Sequence, residues 1–102
     1  MAHFDVYEYR GREHSVRYLI DIQHPILDRM ATRVVVPLRL FAPGTAVIEK
    51  LNPVVEIGSE KYWVGVQQVA NISVRQLGRR VGSALAYRDR IVDAFDMLML
   101  GI

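Results

Sequence analysis

Three histidines, His3, His14 and His24, are the first residues to test for metal or acid–base chemistry. They are ten or eleven residues apart, and none belongs to a His-Glu-x-x-His pattern, in which one helix face presents two zinc ligands. The chain has no cysteine, which excludes a thiolate zinc site, a thiol nucleophile and a disulfide. We therefore expect surface histidines, with neither a bound metal nor a cofactor.

Nucleophile and phosphate-binding motifs are also absent from the sequence. No serine stands in a Gly-x-Ser-x-Gly elbow, and no pair of glycines fits a phosphate-binding loop. A ribonuclease needs only a base, an acid and a cation, and Arg33, Glu56 and His24 could supply them. Their spacing does not select them, so the motifs favour a binding module over an enzyme and leave a ribonuclease as the alternative.

The composition predicts one folded domain over residues 1–102. Of its 102 residues, 51% are hydrophobic and 24% charged, which is too apolar for a disordered chain. The longest uncharged stretch, 62–74, is shorter than the roughly 20 residues that cross a bilayer. The first residues lack the basic and apolar regions of a secretion signal. We expect a soluble cytoplasmic protein that does not enter membranes.

The positive charge is almost entirely arginine, yet the net charge is only +2. Because the charges are scattered along the chain, they do not form a nucleic-acid footprint, and we expect no direct nucleic-acid binding. One local cluster comprises Arg75, Arg79 and Arg80. These guanidinium groups either form a solvated face or bind an acidic partner, since arginine binds carboxylates through two parallel hydrogen bonds.

Valine and isoleucine together far outnumber leucine, which favours strands. Alternation and turn residues predict strands over 4–10, 16–23, 33–38, 54–57 and 62–66. The first two should pair as a hairpin, Pro37 should end the third, and residues 58–61 should form a turn. Residues 67–72 are ambiguous, and residues 73–77 fit either a short turn of helix or an edge segment.

The last segment has helical periodicity. Ser83 is the predicted N-cap, and Gly101 stands where a left-handed residue ends a helix. Between them an apolar face recurs with helical spacing, formed by Ile91, Ala94, Phe95, Leu98 and Met99. The predicted fold is therefore mainly β: a twisted antiparallel, barrel-like sheet with one C-terminal α-helix.

A few apolar residues fall outside these elements. Ile26 and Leu27 lie in a connection, where they either join the core or form an exposed contact surface. Leu100 and Ile102 either fold back onto the sheet or project towards a partner, and burial would contribute ~1.5–3 kcal/mol per side chain in both cases. The cost of burying the carboxylate of Ile102 favours recognition slightly.

Six segments spread along the chain follow the pattern of one known family. They are Phe4-x-Val6-Tyr7-x-Tyr9, Asp21-Ile22-Gln23, Ile26-Leu27-Asp28, Arg33-Val34-Val35-Val36-Pro37-Leu38, Pro53-Val54-Val55-x-Ile57-Gly58 and Gly101-Ile102. In these segments the chain resembles the CcdB toxins of bacterial toxin–antitoxin modules. No single segment is diagnostic, but their order, spacing and shared end are specific, and 51–102 aligns to the family pattern without a gap.

The resemblance implies a non-enzymatic homodimer with an SH3-like, sheet-rich core. Proteins of this family bind the A subunit of DNA gyrase and trap its cleaved-DNA complex, and a CcdA-like antitoxin with a disordered acidic segment removes them. Their gyrase contact includes a terminal Trp-Gly-Ile, which Gly101 and Ile102 match. The pair Ile26 and Leu27 matches another contact of the family, so the resemblance favours the exposed alternative for it.

One position departs from the family pattern, because Leu100 stands where the family has tryptophan. Leucine keeps the apolar bulk but offers no aromatic face for a cation–π contact, worth ~0.5–2 kcal/mol. The first hypothesis is a gyrase poison with Ile26, Leu27, Leu100, Gly101 and Ile102 as its contacts and Arg75, Arg79 and Arg80 facing the antitoxin. The second is a divergent CcdB-fold binding protein with weak or no poisoning, and the third is a toxin endoribonuclease.

Overall fold

The computed structural model describes residues 3–102. Within this range, seven antiparallel strands form one curled sheet and a single α-helix follows them. The strands are β1 (Asp5–Tyr9), β2 (Tyr18–Asp21), β3 (Thr32–Leu40), β4 (Val54–Ile57), β5 (Glu60–Val64), β6 (Ala70–Ser73) and β7 (Leu77–Ser83), and the helix is α1 (Arg88–Leu100). The predicted fold class, mainly β with a C-terminal helix, is confirmed.

The longest strand, β3, organises the sheet. The strand order is β4-β5-β3-β2-β1-β7, and β6 also pairs with β3. One edge of β3 pairs with β2. The other edge pairs with β6 through Thr32–Val35 and then with β5 through Leu38–Leu40. The predicted hairpin of the first two strands is confirmed by the register that sets Val6 opposite Ile20.

Pro37 does not end the third strand, which continues to Leu40, so that prediction was wrong. The physical reason is its position in the sheet. Pro37 lies between the segments of β3 that pair with β6 and with β5, where one edge of the strand needs no ladder donor. Its carbonyl is still used, because it accepts a hydrogen bond from the Gly65 N–H at 2.9 Å.

The strand β7 was not recognised in the sequence. Its segment contains Gly78 and Gly82, which depress strand propensity, and its pairing with β1 is interrupted by register shifts. The two strands approach each other closely at Gly78, where a side chain would fit only tightly. A Cβ there would stand 3.1 Å from the Glu8 carbonyl oxygen.

The main core lies between the sheet and the first half of α1. Ile91 and Ala94 are fully buried against sheet residues such as Val6, Ile20 and Leu38. The Ser83 hydroxyl accepts the Leu85 N–H just before a 3₁₀ turn, Leu85–Tyr87, and α1 begins only at Arg88. The predicted N-cap position was therefore wrong, whereas the left-handed residue at the other end, Gly101, is confirmed with φ +73°.

The apolar face of α1 extends beyond the core that it covers. Phe95 is partly buried, but Leu98 is 38% exposed and Met99 is 74% exposed. The predicted apolar face is therefore buried at Ile91 and Ala94 and exposed in the last helical turn. No helix among residues 3–102 has the length and apolar character needed to span a bilayer.

Candidate functional site

Two exposed apolar segments stand out on the surface. We call Pro25–Leu27 the apolar turn and residues 100–102 the tail. In the apolar turn, Ile26 is 81% exposed and Leu27 is 46% exposed. In the tail, Leu100 is 68% exposed and Ile102 is 81% exposed. The sequence left open whether these side chains join the core or are exposed, and in the structure both segments are exposed.

The tail is held by a well-packed helix. The buried side chains of Ile91 and Ala94 fix α1 on the sheet, and the Gly101 N–H closes the helix by donating to the Met97 carbonyl at 3.0 Å. The left-handed conformation of Gly101 then turns Ile102 towards a groove of about 640 Å³. This groove runs between α1 and residues 47–54. The tail is thus presented in a defined direction although its side chains touch little.

The apolar turn is a 3₁₀ turn that begins with Pro25, whose fixed φ suits a first helical position. Its N-cap, His24, accepts the Ile26 N–H on Nδ1 at 3.1 Å. The Leu27 carbonyl accepts a hydrogen bond from Gln23, two residues beyond β2, and Asp28, just after the apolar turn, pairs with Arg33 of β3. Ile102 instead lines the groove with residues 47–54. Different parts of the scaffold therefore carry the two segments.

A buried layer of charge lies beside the apolar turn, and the sequence did not indicate it. Arg33 is 1% exposed and donates to the Asp21 carboxylate, with Nη2–Oδ2 at 2.6 Å and Nε–Oδ2 at 3.2 Å. Its Nη1 also lies 2.9 Å from Oδ1 of Asp28, the residue that follows the apolar turn. One guanidinium thus joins the end of β2 to the connection that leaves the apolar turn.

The same side of the sheet holds a second ion pair. Asp5, whose side chain is 5% exposed, pairs with Arg80, with Nε–Oδ2 at 3.0 Å. Burial, followed by the charges of Asp5 and Asp21, raises the pKa of the Tyr7 phenol. Tyr7 therefore stays neutral beside these carboxylates at physiological pH.

The three arginines predicted to face an antitoxin do not form one patch. Arg79 lies 3.3 Å from Glu8, and Arg80 is paired with Asp5. These two guanidinium groups therefore belong to separate ion pairs, with different carboxylates of β1. Arg75 is exposed and lies in the 3₁₀ turn Val74–Gln76, before β7.

Two of the three residues considered for ribonuclease chemistry have structural roles. The guanidinium of Arg33 is buried between two carboxylates, and His24 caps the apolar turn. Glu56 lies on β4, with β5 between it and β3. Among residues 3–102, no three histidine and carboxylate side chains gather as a metal site would require.

The pH dependence of stability should report the Asp28–Arg33 pair. Desolvation of the Asp28 carboxylate opposes its ionisation, yet the pKa of Asp28 is lowered overall, and the Arg33 guanidinium is the first of the groups that lower it. A lowered folded-state pKa adds stability above the ordinary aspartate value of about 3.9, and this stability is lost as pH falls through the folded value. Asp28→Asn should therefore be less stable than the parent near neutral pH, with the difference shrinking on acidification.

Urea unfolding of both proteins at about pH 7 and about pH 2.5 measures this difference. Asp89→Asn serves as the control, because Asp89 pairs with Arg88 on the surface at 91% side-chain exposure. An equal difference between parent and Asp28→Asn at both pH values would contradict the role of this pair.

A comparison with known families bears on the whole fold. The family model described as "CcdB protein" matches residues 3–101. The chain belongs to the CcdB family. Proteins of the CcdB family are toxins of toxin–antitoxin modules, of the gyrase-poisoning kind rather than classical enzymes. The match covers both the apolar turn and the helix that carries the tail.

Proposed function

We propose that this protein is a toxin that binds the A subunit of DNA gyrase and traps its cleaved-DNA complex. Its contacts are Ile26, Leu27, Leu100, Gly101 and Ile102, and it acts in the cytoplasm as a homodimer that a CcdA-like antitoxin neutralises. The observation that carries the proposal is the exposure of four large apolar side chains on two well-anchored segments, within a chain of the CcdB family.

The energetics support a role in binding for these side chains. Ile26 and Ile102, at 81% exposure, contribute little to the core in the described chain. Transfer of such a side chain from water into an interface gains ~1.5–3 kcal/mol when burial is complete. Because the backbone of both segments is already ordered by hydrogen bonds, little entropy is lost on docking.

Direct binding of the purified gyrase A subunit tests the contact residues. The double variant Ile26→Ala/Leu27→Ala should raise the dissociation constant by roughly tenfold or more, because two apolar side chains at the interface lose contact area. A matched control is Leu40→Ala/Ile48→Ala, which removes two side chains of 55% and 53% exposure elsewhere on the surface. Equal affinities for both double variants would show that the apolar turn is not a gyrase contact.

A second candidate function is a CcdB-fold binding protein with weak or no poisoning. The specific observation is Leu100, which is 68% exposed at the end of α1 and has no aromatic face. The chain's tryptophan, Trp63, is on β5, paired with Arg39 of β3 and Val54 of β4, and does not replace it.

Leu100→Trp should distinguish the two candidates. An indole at this exposed position adds an aromatic face, and we expect gyrase A to bind about tenfold more tightly, which corresponds to ~1.4 kcal/mol. Met99→Trp, at a neighbouring position of 74% exposure, controls for added bulk. Titration calorimetry gives the dissociation constants, and an unchanged value for Leu100→Trp would mean that the leucine is not limiting.

For the antitoxin we propose contacts with Arg75, Arg79 and Arg80. An acidic segment would compete with Glu8 for Arg79 and would find the guanidinium of Arg75 exposed. Arg80 is committed to the buried carboxylate of Asp5, so its share in the contact is expected to be the smallest of the three.

A further inference from the structure

The side chain of Gln23 bridges β3 and the apolar turn. Gln23 is 5% exposed and directly follows Ile22, whose N–H donates to the Val34 carbonyl. Its Oε1 accepts the Val34 N–H at 3.0 Å, and its Nε2 donates to the Leu27 carbonyl at 3.0 Å. Because a backbone N–H can only donate and a carbonyl can only accept, these partners fix the orientation of the amide.

The Gln23 side chain continues the pairing of β2 with β3 beyond the end of β2. Strand β2 ends at Asp21, and the Gln23 side chain takes over where the backbone of β2 turns away. The Gln23 N–H also donates to Oδ1 of Asp21, at 3.1 Å. The residue that enters the apolar turn is therefore tied to the same carboxylate that binds Arg33.

These buried polar groups hold a turn whose own side chains point outwards. Both residues after Pro25, Ile26 and Leu27, are exposed, so the apolar turn gains little from burying its side chains. A surface turn held mainly by local hydrogen bonds would open readily. The buried amide of Gln23 instead binds it to the central strand of the sheet.

We propose that Gln23 is a positioning residue for gyrase binding, which acts by holding the Leu27 carbonyl and so presenting Ile26 and Leu27 in a fixed conformation. This inference rests on the proposed function, because it assumes that the apolar turn contacts gyrase. An ordered turn binds without the entropic cost of being ordered at the interface. Loss of the bridge should therefore weaken binding although no contact side chain is altered.

Gln23→Glu tests the proposal with an isosteric change. The carboxylate can still accept the Val34 N–H but cannot donate to the Leu27 carbonyl, and it places two acceptors against each other. We expect faster amide hydrogen exchange at Leu27, Asp28 and Met30, with core strands unchanged, and about tenfold weaker binding of the gyrase A subunit. Gln68→Glu is the control for the charge change, because Gln68 is exposed and its Oε1 already accepts from Arg39.

A double-variant cycle separates this inference from the proposed function. On the Ile26→Ala/Leu27→Ala background, Gln23→Glu should have little further effect on affinity, because the two side chains that Gln23 positions have already been removed. An undiminished effect on that background, or parent-like affinity of Gln23→Glu alone, would overturn the positioning role. Parent-like affinity of Ile26→Ala/Leu27→Ala would instead refute the proposed contact. If Gln23→Glu does not fold, Gln23→Asn takes its place, with a neutral amide one methylene too short to reach both partners.

Discussion

Replacement of Arg33 by methionine should be the most destabilising single substitution in the buried charge layer. It removes the guanidinium partner of the Asp21 carboxylate, which is 0% exposed. The carboxylate keeps its hydrogen bond from the Gln23 N–H. Breaking a buried ion pair from one side costs about 3–5 kcal/mol, because an uncompensated charge stays buried. Urea or thermal unfolding of Arg33→Met at neutral pH measures the loss.

Two further variants make this result specific. Arg39→Met removes a guanidinium that pairs with Glu13 at 2.9 Å on the surface, and its effect should be far smaller. The double variant Asp21→Leu/Arg33→Met removes both charges and should recover much of the stability that Arg33→Met loses. A loss for Arg33→Met no greater than that for Arg39→Met would contradict the structural role of the pair.

Deletion of residues 100–102 should produce the largest functional effect. The deletion removes Leu100 and Ile102, two exposed side chains, together with the Gly101 cap, while Ile91 and Ala94 still pack α1 against the sheet. The shortened protein should fold and keep most of its stability, yet induced expression should no longer inhibit growth of a gyrase-sensitive strain. Colony counts after induction measure this, alongside circular dichroism of the purified protein.

The control for the deletion is Leu40→Ala, which removes an apolar side chain of 55% exposure on β3 and should remain as toxic as the parent. If the deletion protein is folded and kills as well as the parent, the tail is not part of the toxic surface.

Much of the fold followed from patterns in the sequence, and the errors have physical causes. Alternation and β-branched residues located most strands, including Val54–Ile57 to the residue. The strand β7 was missed because its two glycines depress strand propensity, and the close approach to β1 at Gly78 is a tertiary constraint that local propensity does not contain. The prediction at Pro37 was wrong for a similar reason. Whether a strand position must donate a backbone hydrogen bond is known only once the neighbouring strands, here β5 and β6, are known.

The candidate site was only partly predictable. Its apolar residues were identified because they fall outside the predicted strands and the core-forming part of the helix. The sequence alone could not decide whether Leu100 was buried or exposed. The polar support was missed altogether. Asp21 and Arg33, charged residues within strongly apolar strand segments, were the available signal, because a charge at a buried position requires a partner. Gln23 gave no such signal, because its role depends on where β2 ends.

The most direct test of the central claim, that the exposed apolar segments poison gyrase, is a cleavage assay. Purified gyrase and supercoiled plasmid are incubated with the parent protein, the deletion of residues 100–102 or Leu40→Ala, and linear DNA is quantified after protein denaturation. We expect linear DNA to accumulate with the parent and with Leu40→Ala but not with the deletion. Absence of linear DNA with the parent protein, at concentrations where it binds the gyrase A subunit, would show that the protein does not poison gyrase.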